Sequence, residues 1–154
     1  MSDVGGSRRS ARERALGLLY EAEAKDQTPA GVVAALPLPP DPYAAELVEG
    51  VGSCGETIDE LLRRFAKDWK LERMPSVDRA LLRLAVYELL RRPDVPVAVV
   101  INEAVELAKR FSTEESGKFV NGMLSRIAKE VRPTPAGRDS AGPSTGPGGA
   151  SPAA

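Results

Sequence analysis

Val77-Asp78-Arg79-Ala80-Leu81-Leu82-Arg83-Leu84-Ala85-Val86-Tyr87-Glu88-Leu89-Leu90 is the stretch on which the fold turns. Wound as a helix at about 100° per residue, it places Ala80, Leu81, Leu82, Leu84, Ala85, Val86, Leu89 and Leu90 on nearly every side, and a helix that is apolar all round is one enclosed by other helices. Pro75, just upstream, suits a helix opening because it has no N–H to leave unsatisfied. The pattern predicts a central helix running to about Leu90. Asp78, Arg79 and Glu88 are out of place among such apolar neighbours, so they are either paired inside the molecule or turned toward a protein partner.

Downstream, Pro96 opens a second pattern. Ile101, Ala104, Val105 and Ala108 recur inward against Asn102, Glu103, Glu106 and Lys109, and the period holds through Phe111. The run Val97–Ile101 imitates a strand, but the proline and the 3.6-residue period favour a helix. Ser112 and Glu115 have capping-box spacing and introduce a last helix with Phe119, Met123, Leu124, Ile127 and Val131 as its apolar stripe. Upstream, Thr57 and Glu60 cap a helix ending near Trp69, and another covers about Tyr43 to Val51. The first helix, with Ser10 and Glu13 as its box, runs to about Ala24. Between Lys25 and Pro42 lie five prolines, the signature of a linker, with one helical turn in Val32–Leu36. Alternating strand patterns are nearly absent, and the fold class is all-α with about six to seven helices. Residues 133–154 are almost entirely Pro, Gly, Ala, Ser and Thr, too poor in apolar surface to offset ordering entropy, and are expected to be a disordered tail.

A chain of 154 residues can bury a core without metals or disulfides. With one cysteine, Cys54, and no histidine, the usual zinc sites and Ser-His or Cys-His nucleophilic pairs are excluded, so neither a catalytic nor a metal residue is assigned and no cofactor is expected. No segment approaches the roughly 18 apolar residues of a membrane span, and no signal-peptide pattern opens the chain, which points to the cytoplasm. The net charge of −1 means that any nucleic-acid binding must come from a local patch.

Two segments offer such a patch. Arg8-Arg9-Ser10-Ala11-Arg12-Glu13-Arg14 supplies guanidinium groups able to pair with phosphates, and Lys118-Phe119 sets a cation beside an aromatic ring. On the first helix Ala11, Ala15, Leu18 and Ala22 share the core face, which leaves Tyr20 at its boundary, either covering the core edge or joining a surface with the arginines. Arg12 and Arg14, placed in the first turn, oppose the helix macrodipole, a penalty that a bound anion would reverse. Gly122 inside the last helix suggests close approach by a neighbouring helix. Cys54 reads as a small packing residue.

Several blocks together carry a family resemblance. These are Arg8-Arg9-Ser10-Ala11-Arg12 with Leu19-Tyr20, the central stretch from Val77 to Leu89, Asp94-Val95-Pro96 with Ile101-Asn102-Glu103-Ala104-Val105-Glu106-Leu107-Ala108-Lys109, and Lys118-Phe119-Val120-Asn121-Gly122. In order and spacing the chain resembles the NusB family from about Arg8 to Arg132. The resemblance implies two packed small helical bundles forming a transcription antitermination factor that binds the boxA element of ribosomal RNA leader transcripts and catalyses no reaction. It implies a partner, the small-subunit ribosomal protein acting as NusE, and assembly with other Nus factors on RNA polymerase. Carried over by position, Arg8, Arg9 and Arg12 face RNA phosphates, Tyr20, Phe111, Glu115, Lys118 and Phe119 lie near bases or backbone, and Asp78 and Arg79 belong to the partner surface. Residues 1–7, expected to be a disordered arm, hold no lysine or arginine, so direct RNA affinity is expected to be modest. The alternative is a helical adaptor that binds proteins without RNA. A similar domain opens certain RNA cytosine methyltransferases, but no cofactor-binding domain follows here. A homodimer that hides the RNA face is also compatible with the sequence.

Overall fold

A computed structural model describes residues 4–67 and 69–133. Seven α-helices follow in order: α1 (Val4–Ala24), α2 (Pro29–Ala34), α3 (Pro42–Ser53), α4 (Gly55–Phe65), α5 (Ser76–Arg91), α6 (Val97–Phe111) and α7 (Glu114–Val131), with a 3-10 turn at Leu71–Arg73 before α5. No strand occurs among the described residues. α1 to α3 pack as one small bundle and α4 to α7 as another, and α5 packs against α1, α3, α4, α6 and α7. The all-round apolar helix is therefore the shared core of both bundles, with Leu81, Leu82 and Val86 fully buried.

The helix boundaries show where local signals mislead. α1 begins at Val4, so Ser10 lies in the helix interior and its spacing with Glu13 is not a cap. Residues 4–7 of the expected disordered arm are helical; residues 1–3 lie outside the described residues, as do residues 134–154 of the expected tail. With the start moved back, Arg12 and Arg14 leave the first turn, and the macrodipole penalty assigned to them vanishes. α1 stops where Asp26 takes a left-handed φ of 55°. Gln27 N–H then donates to the Ala22 carbonyl at 2.8 Å and Asp26 N–H to Glu23 at 3.1 Å, a Schellman stop built without glycine. α4 starts at Gly55, not Thr57, and ends at Phe65, so Trp69 lies beyond it. The cap of α7 is Thr113, whose hydroxyl accepts from Ser116 N–H at 2.9 Å, one residue past the expected Ser112.

On α6 the deepest residues are Val100, Leu107 and Ala108, whereas Ile101 and Val105 are half-buried. The inward face is rotated slightly from the one the alternation suggests. Gly122 does not mark a close helix crossing, since a Cβ there would meet only the Arg126 guanidinium at 3.5 Å. The glycine that packing does require is Gly50 on α3, where a Cβ would overlap the Tyr87 ring of α5. Gly50→Ala should therefore lower the urea midpoint, because overlap costs about 1–3 kcal/mol against the ~1 kcal/mol gained in helix propensity. Gly17→Ala is the control of opposite sign, since nothing lies within 4 Å of its Cβ and it should raise the midpoint.

The charged residues of α5 are paired internally. Glu88, 1% exposed, accepts from Arg12 Nε at 3.0 Å and Arg12 Nη2 at 2.9 Å, and also from the Tyr43 hydroxyl, so one carboxylate joins α1, α3 and α5. Burial, then the bond to Glu88, pushes the Tyr43 phenol well above its ordinary range. The Tyr43 ring is flanked by Arg8, Arg92 and Arg12, with guanidinium carbons 4.5, 5.1 and 5.9 Å from its centroid. Arg79 donates to the Leu71 and Met74 carbonyls and pairs with Glu23. Asp78 accepts from Ser116 Oγ at 2.8 Å. The C-terminal end of α5 is closed from outside by Arg132, which donates to four carbonyls: Leu89 at 2.9 Å, Val95 at 2.5 Å, Glu88 at 2.9 Å and Arg92 at 2.6 Å.

Candidate nucleic-acid interface

Two ion pairs hold α1 beside α6. Exposed Arg9 donates to both Glu103 oxygens at 3.1 and 2.8 Å, and Glu13 accepts from Arg110 at 3.2 Å. Arg8 is half-buried, lying over Tyr43 and 3.6 Å from Asp94. Tyr20 projects from α1 about two turns beyond Glu13 and is 49% exposed.

The α6–α7 corner carries the other residues. The Arg110 guanidinium lies 4.8 Å from the centroid of the exposed Phe111 ring. Ser112, Thr113 and Ser116 form a hydroxyl cluster, and Ser116 anchors it to Asp78 on α5, which fixes the direction in which α7 leaves. Gly117 sits where a Cβ would come 3.0 Å from Lys109 Cγ, so α6 and α7 approach closely just before the functional stretch. Lys118 and Glu115 are exposed and pair loosely at 3.7 Å. Phe119 is half-buried and meets Trp69 edge to face. It packs at the edge of the core stripe assigned to it from spacing, whose fully buried members are Met123, Leu124 and Ile127 together with Val120.

The ion pairs join Arg9 and Glu13 on α1 to the end of α6, and Phe111, Glu115, Lys118 and Phe119 fall within nine residues of one corner. Three assignments are corrected. Arg12 is 4% exposed with its Nε and Nη2 held by Glu88, so it is a buried structural partner of α5 and not an exposed phosphate ligand. Asp78 and Arg79 are 1% and 8% exposed and committed to Ser116, Glu23 and two carbonyls, so neither lies on a partner surface. Arg110 went unnoticed in the sequence, although Arg110-Phe111 repeats the cation-aromatic pairing of Lys118-Phe119. The acids here matter as much as the cations: Glu103, Glu13 and Glu115 each neutralise a basic side chain that a phosphate would otherwise meet.

Fold and site together define a two-bundle, all-α domain with a mixed basic and aromatic corner. A family model described as NusB family matches residues 9–129, and the chain belongs to that family. A transcription antitermination protein NusB from Saccharopolyspora erythraea is 52% identical over 129 residues, covering 80% of this chain and 87% of that one. Among solved structures, T. maritima NusB superposes with a TM-score of 0.72 at 40% identity, covering 80% of this chain and 91% of that one. A chain from the crystal structure of antitermination factors NusB and NusE in complex with dsRNA superposes with a TM-score of 0.69 at 31% identity, covering 80% and 96%. No described helix is long and apolar enough to cross a membrane.

Proposed function

We propose that this chain is a cytoplasmic transcription antitermination factor that binds the boxA element of ribosomal RNA leader transcripts jointly with the small-subunit ribosomal protein acting as NusE. Through that pair it joins other Nus factors on RNA polymerase. The observation that carries the reading is the α6–α7 corner: exposed Phe111 and Lys118 with half-buried Phe119, and Arg9 further back along α6 at Glu103, on a fold shared with a NusB that was crystallised with NusE and dsRNA. Arginines and Lys118 position phosphates, while Tyr20, Phe111 and Phe119 offer faces on which unpaired bases stack. Glu115 pairs loosely with Lys118 and is the acid with which a phosphate would compete there. The chemistry asked of the chain is binding, not catalysis.

Because Arg8 and Arg9 already face Asp94 and Glu103, RNA must compete with those acids, and affinity without the ribosomal partner is expected to be modest. In filter-binding titrations against boxA RNA, Lys118→Ala should flatten the dependence of log K on log salt by about 0.7 for the lost single-strand phosphate contact. Arg9→Ala should do the same to a smaller degree, since Glu103 is freed. The ribosomal partner should tighten binding by the wild type. Curves for both variants that overlay the wild type at every salt concentration would misplace the RNA face. The competing reading, a protein adaptor without RNA contact, draws on the same acid pairing; it is upheld if the ribosomal protein binds but boxA RNA never shifts the complex.

A further inference from the structure

A groove runs between the end of α4 and the middle of α7, lined by Phe65, Ala66, Lys67, Trp69, Phe119 and Arg126. Trp69 and Phe119 form its aromatic wall, with centroids 5.1 Å apart and planes at 68°. An aromatic pair of this kind normally closes over a core, yet Trp69 remains 38% exposed. Arg126 makes one long bond to the Phe65 carbonyl at 3.4 Å, and neither it nor Lys67 pairs with a described carboxylate. Arg64, the next cation along, is held by Glu130 at 2.6 Å and belongs to the structure, not to the groove. No acid lines the groove among the described residues. This sets it apart from the α1–α6 face, where Arg8, Arg9 and Arg110 lie against acids or aromatic rings.

We propose that this groove holds one unpaired nucleotide of bound single-stranded RNA, with the base against Trp69 and Phe119 and its phosphate between Lys67 and Arg126. The proposal rests on the RNA-binding reading above and extends it: Phe119, one of the corner residues, is also a wall of the groove. The chemistry selects the occupant. An aromatic wall takes any base through its π-face, and two cations that no described carboxylate pairs with take the phosphate attached to it. An apolar peptide would leave both cations unanswered.

Trp69 is the single tryptophan of the chain, so its emission reports on the groove alone. The full chain, with and without the ribosomal partner, is titrated with a short fluorescein-labelled boxA RNA and with a uridine oligomer, following label anisotropy and Trp69 emission together. Emission should be quenched in step with the rise in anisotropy. Trp69→Leu should weaken binding about tenfold or more while Trp69→Phe retains most of it, because stacking needs a ring and not an indole. Lys67→Ala and Arg126→Ala should each reduce the salt slope by about 0.7. If Trp69→Leu fails to fold by circular dichroism, the wild-type emission and the two cation variants decide. Rising anisotropy with unchanged Trp69 emission and cation variants indistinguishable from wild type overturns the groove and leaves RNA binding intact. No anisotropy change, with or without the partner, removes both readings. Quenching by the ribosomal protein alone, lost in the cation variants, makes the groove a protein-docking site and overturns the proposal.

Discussion

Glu88→Ala is expected to cost about 3–5 kcal/mol, a large part of the stability of a domain this size, because it leaves a buried guanidinium without its counter-charge. Arg12 is 4% exposed and Glu88 is 1% exposed, so water cannot replace the missing partner, and the Tyr43 hydroxyl loses its acceptor in the same step. Urea unfolding followed by helical circular dichroism should show an early midpoint with unchanged cooperativity. Removing both charges together separates the penalty of an orphan charge from the worth of the pair. Arg12→Met with Glu88→Leu should regain much of the loss, since a buried pair and an apolar pair of similar volume are often close in free energy. A single Glu88→Ala variant that unfolds at the wild-type midpoint would mean that the carboxylate joining α1, α3 and α5 holds nothing together.

Arg132→Ala should cost about 2–3 kcal/mol, in line with hydrogen bonds to a charged group, although the residue lies just past the last helix. Its guanidinium reaches four carbonyls at the end of α5 and in the turn that follows; those of Glu88 and Arg92 also accept backbone N–H groups, from Arg92 and Val95, whereas Leu89 and Val95 sit where a helix end leaves carbonyls without an intrahelical donor. Arg132→Lys should recover little, because an ammonium lacks the planar fork that spans several carbonyls at once. Thermal unfolding of the two variants beside wild type checks this. A lysine variant as stable as the arginine would reduce the contact to simple charge at a helix C-terminus.

The helices were legible because burial writes a period into the sequence. α5 was recognisable as the shared core from its all-round apolar pattern, and Ala11, Ala15, Leu18 and Ala22 are all buried on α1 as the wheel requires. Helix ends were less legible. Ser10 with Glu13 and Thr57 with Glu60 have the spacing of a cap but sit inside helices, because the spacing also recurs by chance wherever serine, threonine and glutamate are common. The partners of charged residues left no local trace at all. Arg12 and Glu88 lie 76 positions apart, and Ser116 lies 38 from Asp78, so a sequence window sees each as a lone charge or a lone hydroxyl. That is why Arg12 looked like a phosphate ligand and Asp78 like a partner contact. Lys118 is legible as surface because it falls on the polar face of its helix; Tyr20, at the boundary of the core face, is 49% exposed, and Phe111, which continues the apolar period of α6, is 44% exposed because it sits at the helix end. Trp69 escaped notice since its ring partner, Phe119, is brought to it by the packing of α7 and by nothing in its own neighbourhood.

The sharing of one carboxylate by α1, α3 and α5 also sets an order of events during synthesis. The ribosome releases Arg12 and Tyr43 well before Glu88, so the first three helices emerge with a guanidinium and a phenol shaped for a partner that does not yet exist. Long-range contacts cannot form before both ends are available. The N-terminal bundle therefore waits, incompletely closed, until α5 clears the exit tunnel, and since α5 is also the core of the second bundle, both halves become committed by the arrival of the same helix. A truncated chain ending before Glu88 should thus be a target for chaperones and proteases rather than a smaller folded domain.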